Sequence, residues 1–159
     1  MKPMTTLTAV IVLLMGGLAR ADENVSAPKL NDALAAMKEK ATALGDPVAE
    51  GVILHFGAAK LNGNYEIVDQ IKEKFGCLAT FFVKKGESFI RVSTNVQKEG
   101  NRAVGTKLDP AGKVYPSMIK GETYRGEADI LGGKYDAVYE PIRNARGEIV
   151  GIYFVGIPK

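Results

Sequence analysis

The chain has 159 residues, a formal net charge of +3, 46% hydrophobic residues and 25% charged ones. That is one domain's length with a globular composition, which excludes a disordered tail, a collagen-like fibre and a multi-pass membrane protein. One Cys and one His exclude an internal disulfide framework, a thiolate zinc site, a paired-His metal site and a CxxCH haem attachment.

Lys2 is the only charge before Arg20, and Leu7 to Leu18 between them is mostly apolar. Ala19-Arg20-Ala21 then has the small-x-small pattern of a signal-peptidase site, followed by polar Asp22-Glu23-Asn24. Residues 1–21 therefore read as a secretory signal peptide cleaved after Ala21. An uncleaved anchor is the competing reading, but the apolar run falls short of the roughly 20 residues a spanning helix needs. Lys2 and Arg20 leave with the leader while all 18 acidic residues stay, so the exported chain is close to neutral. No basic stripe marks a nucleic-acid surface. A periplasmic or secreted protein is expected.

Residues 22–46 form an N-terminal helical segment, with the helix itself from Ala27 to about Ala43. Leu30, Leu34, Met37, Ala41 and Leu44 make one apolar stripe at helical spacing, and Gly45-Asp46-Pro47 ends it. Pro47 suits the first position of a second short helix. Asn62-Gly63 is a turn, and Asn64 caps a helix from Tyr65 to Phe75 closed by Gly76. From Leu78 the period becomes two. Leu78 to Lys84 and Ser88 to Asn95 are strands joined at Lys85-Gly86-Glu87. Residues 96–113 read as loop, and Val114 to Lys120 as one or two helical turns. Tyr124 to Leu131, Lys134 to Arg143 and Glu148 to Ile157 are three further strands. The last is apolar on both faces and belongs at the sheet's centre.

The plan is α+β, with a helical N-terminal part and a five-stranded antiparallel sheet. The simplest pairing sets the last strand beside the first, giving the order second, first, fifth, fourth, third. That is a PAS-like arrangement, with the long helix packed on one face and the 96–120 segment over the other.

Five stretches carry a resemblance: Leu78-Ala-Thr-Phe-Phe-Val83; Phe89-Ile-Arg-Val-Ser-Thr-Asn-Val96; Arg102-Ala-Val-Gly-Thr-Lys-Leu-Asp-Pro110; Tyr124-Arg-Gly-Glu-Ala-Asp-Ile-Leu131; and Tyr139-Glu-Pro-Ile142 followed by Gly147-Glu-Ile-Val-Gly-Ile-Tyr-Phe-Val-Gly156. Together they resemble a single Cache domain of the Cache_3/Cache_2 fusion type, from about Pro47 to Pro158. The resemblance implies a PAS-like fold and an extracytoplasmic small-molecule sensor over residues 47–159. Relatives of this type are ectodomains of chemoreceptors, sensor kinases and diguanylate cyclases. This chain is expected to lack their second membrane span, HAMP segment and output domain, so signalling would pass through another protein.

Arg91 is the strongest candidate binding residue. Strand alternation places Phe89, Arg91, Ser93 and Asn95 on one face and Ile90, Val92 and Thr94 on the other. An unpaired buried charge is costly, so Arg91 needs a ligand anion, a structural carboxylate from Glu127, Asp129 or Asp136, or exposure on an edge. Tyr115, Tyr124, Tyr135 and Tyr139 form an aromatic set offering rings for a ligand body and hydroxyls for its polar end; core and edge packing is the alternative. The family pocket lies between the sheet and the segment matching 96–120, which by resemblance makes Tyr115, Met118 and Lys120 lip residues. Cys77 reads as a small buried side chain and His55 as a packed one. No catalytic residues, metal ligands or cofactor are expected.

The expected function is a sensor-type binding module for a small polar or anionic metabolite, such as a carboxylate or an amino acid. Arg91 anchors it, Asn95 and the tyrosines shape the pocket, and the 96–120 loop closes over it. The alternative is an interaction protein that uses the apolar stripe of the N-terminal helix to form a homodimer or to meet a membrane receptor.

Overall fold

The structure, a computed structural model, describes residues 21–159, with side chains from Ser26 onward. The expected leader, residues 1–21, lies outside the described residues apart from the backbone of Ala21. Helix α1 runs from Ala21 to Thr42. Its stripe residues Leu30, Leu34, Met37 and Ala41 are all buried, and burying each large one is worth about 1.5–3 kcal/mol. Leu44 lies past the helix end and is 46% exposed, so the stripe stops at Ala41.

Pro47 does not open a helix. The chain instead forms a small antiparallel meander of β1 (Pro47–Glu50), β2 (Ile53–Phe56) and β3 (Ala59–Lys60). Proline is equally at home as the first residue of a strand, and Val48, Val52 and Ile53 favour extended backbone. A close crossing fixes the entry to the meander: a Cβ on Gly57 would sit 2.2 Å from the Leu44 carbonyl oxygen. Asn62 fastens the meander from below. Its Oδ1 accepts from the Leu54 N–H at 2.9 Å, and its Nδ2 donates to the Val52 carbonyl at 2.8 Å.

Helix α2 (Glu66–Phe75) follows. The Asn64 side chain accepts from the Glu66 N–H at 3.1 Å, and Gly76 closes the helix in the left-handed region at φ 68°. Next come β4 (Leu78–Lys85), β5 (Ser88–Thr94), the two-residue ribbon β6 (Gln97–Lys98) and β7 (Asn101–Arg102), α3 (Tyr115–Lys120), β8 (Tyr124–Ile130), β9 (Gly133–Arg143) and β10 (Ile149–Pro158). The five-stranded sheet has the order β5-β4-β10-β9-β8, antiparallel throughout. This is the expected PAS-like order, with the last strand at the centre.

The sheet separates two cores. Helices α1 and α2 and the meander cover one face, where Leu34, Met37 and Ile71 meet Phe81, Tyr153 and Val155. The 96–120 segment covers the other, where Val96, Leu108, Val114 and Met118 meet Phe82, Tyr139, Ile152 and Phe154. Strand β10 serves both, since Tyr153 and Val155 point one way and Ile152 and Phe154 the other. That alternation in an apolar run is why the strand must be central.

Two devices hold the covering segment. Arg102 makes a two-pronged ion pair with Asp69 of α2 at 2.7 and 2.8 Å, and its guanidinium carbon lies 4.1 Å from the Tyr65 ring centre. Residues 103–108 then run as a strap along the outer edge of β5. The Arg91 N–H donates to the Thr106 carbonyl, the Gly105 N–H to the Arg91 carbonyl and the Leu108 N–H to the Phe89 carbonyl, all within 2.8–2.9 Å.

Candidate ligand-binding site

A cavity of about 530 Å³ opens between the sheet and the segment after the strap. Its size falls within the roughly 300–1,000 Å³ of ordinary small-molecule pockets. Arg91 and Tyr139 form its polar floor; Leu108, Val114 and Ala128 are apolar walls; Lys107 and Lys113 stand at its rim.

Arg91 is only 4% exposed. Its guanidinium carbon lies 4.9 Å from the centre of the Phe82 ring, and Nη1 donates to the Thr106 hydroxyl at 2.9 Å. Nε is buried without an acceptor. Nη2 makes no hydrogen bond among the described residues and is not sealed off, and Arg91 lines the cavity. No carboxylate pairs with Arg91 among the described residues. Glu127 is engaged by Lys159 at 3.1 Å and Lys134 at 3.6 Å, and Asp136 lies 3.8 Å from Lys159. Burial pulls the Arg91 pKa down from its ordinary value, with nearby Tyr139 opposing; an arginine so placed still keeps its charge.

Tyr139 is 1% exposed. Its ring packs on Phe154 at 4.8 Å and on Phe82 and Tyr124, each at 6.3 Å. Its hydroxyl has no hydrogen-bond partner among the described residues. Burial pushes its pKa up, held back by the Arg91 charge, so the phenol is neutral and free to donate.

The other expected site residues do not line this cavity. Asn95 lies on the far face of β5. Its Nδ2 donates to the Val68 carbonyl of α2 at 2.8 Å, and its Oδ1 accepts from the Ala79 N–H at 2.8 Å. The alternation that grouped Arg91 with Ser93 and Asn95 fails because β5 carries a bulge: Arg91 pairs with Phe82 but Ser93 pairs with Phe81. One unpaired residue reverses every side chain after it. Ser93 accordingly donates to the Asn64 carbonyl at 2.6 Å, while Thr94 turns to the cavity face and meets Thr80 at 2.7 Å.

Tyr135 shares a face with Tyr139, as the spacing predicts, but lines a second hollow of about 460 Å³, which Asn95 also borders and which meets the Arg91 cavity at Leu131 and Gly132. Tyr124 donates its hydroxyl to the Glu127 carbonyl, and burial raises its pKa, helped by Glu127. Tyr115 donates to the Glu87 carbonyl at 2.6 Å and packs on Phe89, bracing α3 against the β4–β5 turn. Lys120 is exposed at the end of α3, and Met118 is fully buried beneath it. Cys77 is buried, and desolvation raises its thiol pKa. Sequence reasoning overlooked Thr106, Lys107 and Lys113. The alternation of Thr106 and Leu108 with Lys107 was the available signal for a strap along a strand edge.

Among the described residues no three metal-ligating side chains cluster, and no helix is long and apolar enough to cross a membrane. A five-stranded antiparallel sheet of this order, with helices on one face and a strap above a polar-floored cavity on the other, defines a PAS-like domain of the sensor type. The chain belongs to the Cache 3/Cache 2 fusion domain family, which it matches over residues 18–159. Domains of this family are extracytoplasmic sensor and binding units rather than catalysts. Comparison with curated proteins found no match.

Proposed function

We propose that the domain captures a small anionic metabolite, a carboxylate or an amino acid through its carboxylate, in the cavity above Arg91 and Tyr139. One observation carries this reading: a buried guanidinium with no carboxylate partner among the described residues, one orphaned N–H and one further unbonded nitrogen, in the lining of a cavity of ligand size. A bound carboxylate oxygen at Nη2 and a donor from the Tyr139 hydroxyl satisfy groups that the protein leaves unsatisfied. Lys107 and Lys113 in the lining are balanced in charge by Asp109, Glu127 and Asp129, so the preference for an anion rests on Arg91. The signal-peptide pattern supports a periplasmic or secreted location. In that location the domain could meet a membrane receptor.

The rival reading, association through the stripe of α1, has less behind it. Leu30, Leu34, Met37 and Ala41 already pack within the chain's own core. A homodimer through the same residues would first have to uncover them.

The test is a thermal-shift screen of the exported protein against organic acids, amino acids, amines and nucleobases. A ligand at about 100 times its dissociation constant adds roughly 2.7 kcal/mol, or about 6–10 °C at this chain length. An acid that shifts the wild type but not a folded Arg91→Ala variant supports the reading. A shift that survives in that variant rejects Arg91 as the anchor.

A further inference from the structure

The anchor is held in one orientation by a single hydroxyl. Thr106 Oγ1 accepts from Arg91 Nη1 at 2.9 Å and itself donates to the Ala103 carbonyl at 2.6 Å. Because the Thr106 proton goes to Ala103, the lone pair facing Arg91 is fixed as an acceptor. The backbone repeats the link, since the Arg91 N–H donates to the Thr106 carbonyl and the Gly105 N–H to the Arg91 carbonyl. The guanidinium has no other hydrogen-bond partner among the described residues, and Phe82 covers one of its faces. Without the hydroxyl nothing directional would choose which nitrogen meets the cavity.

We propose that Thr106 is a positioning residue for ligand capture: its hydroxyl holds Nη1 so that Nη2 is presented to the cavity, and it ties the strap at 103–108 to the occupancy of Arg91. The inference rests on the anion-binding reading above and adds the residue that sets the geometry. An anion drawing on Nη2 pulls on the same rigid, planar group that Thr106 holds. The strap therefore registers the ligand through one side-chain bond and two backbone bonds, in addition to Lys107 and Leu108, which line the cavity.

The experiment follows the Arg91 side-chain Nε–Hε signal by NMR in the full exported chain, assigned by its loss in Arg91→Lys. Acetate is the probe. Wild type and Thr106→Ser are expected to show slow guanidinium rotation, and Thr106→Val fast rotation with a native amide spectrum. The acetate midpoint should rise about ten-fold in Thr106→Val, the worth of one hydrogen bond to a charged group, and stay near wild type in Thr106→Ser. Should the valine variant not fold, Thr106→Ala removes the hydroxyl with less change in packing. Unchanged rotation and midpoint in the folded Val or Ala variant overturn the proposal, as does failure of Ser to restore them. If acetate leaves the wild-type signal unmoved, the anion reading at Arg91 fails for this probe, and the rotation rates still decide the role of Thr106.

Discussion

Arg91 lies opposite Phe82 in the β4–β5 ladder, and the next pair in register is Ser93 with Phe81. Val92 between them has no partner of its own. This bulge turns Arg91 toward the cavity while Val92 and Ser93 turn toward α2, so an arginine and the serine two residues on serve opposite faces of the sheet. Bulges of this kind commonly re-aim a side chain next to a site. Here the residue re-aimed relative to its neighbours is the only buried cation among the described residues.

The first prediction concerns that cation. Arg91→Met keeps the stem on Phe82 and removes a buried charge that lacks a carboxylate. Replacing buried ionic groups by apolar ones of similar volume is often neutral or stabilising. The variant should therefore be at least as stable as wild type, by up to about 1 kcal/mol, and should bind no anion. Urea denaturation measures the first effect and ligand titration the second. A large loss of stability would show that Arg91 is a structural residue.

Asn95→Ala should behave in the opposite way. It removes the bonds to the Val68 carbonyl and the Ala79 N–H and leaves both backbone groups buried. The expected loss is about 2–4 kcal/mol, read as a lower urea midpoint. The ligand preference of the surviving folded fraction should not change, because Asn95 does not share the cavity of Arg91.

Leu131 sits at φ 49° in the two-residue turn between β8 and β9 and is 43% exposed. Leucine is poorly suited to left-handed backbone, whereas asparagine tolerates it. Leu131→Asn should raise stability by about 0.5–1 kcal/mol. Leu131 also borders the cavity, so anion affinity measured on the same variant shows whether ligand contact accounts for a leucine there.

The Arg102–Asp69 bridge gives a pH dependence with a definite sign. The hydrogen bond from Arg102 holds the Asp69 carboxyl below its ordinary value, with slight burial opposing. A carboxylate whose folded pKa is lowered contributes stability that is fully present above its unfolded pKa, near 3.9, and is lost as pH falls through the folded value. Both side chains are partly exposed, so the contribution is about 1 kcal/mol at most. Wild type should exceed Asp69→Asn in urea midpoint at neutral pH, and the gap should close below about pH 4. A gap that persists at pH 2 would assign the loss to packing on Tyr65.

The sheet was legible in the sequence because its signals are local and strong. The double-faced apolar run of β10 demands a central place, and Gly86, Gly132-Gly133 and Gly147 mark the turns. The α1 stripe was legible up to Ala41. The meander at Pro47 was not, because proline followed by Val48, Ala49 and Glu50 opens a helix or a strand equally well. Arg91 and Tyr139, both named from the sequence, line one cavity, since a lone charge and a large ring in strands are visible in one dimension. Asn95 was misplaced because a bulge leaves no mark in the alternation that it breaks. Thr106 was missed because its role exists only where the strap meets β5.

The central strand is also the last one made. Strands β4 and β5 pair with each other, as do β8 and β9, but each hairpin joins the sheet only through β10. Until residues 149–158 are in place, the two hairpins share no strand, and one side of each core is missing. A chain stopped at Glu148 should accordingly stay sensitive to protease, while the complete one becomes resistant in a single step.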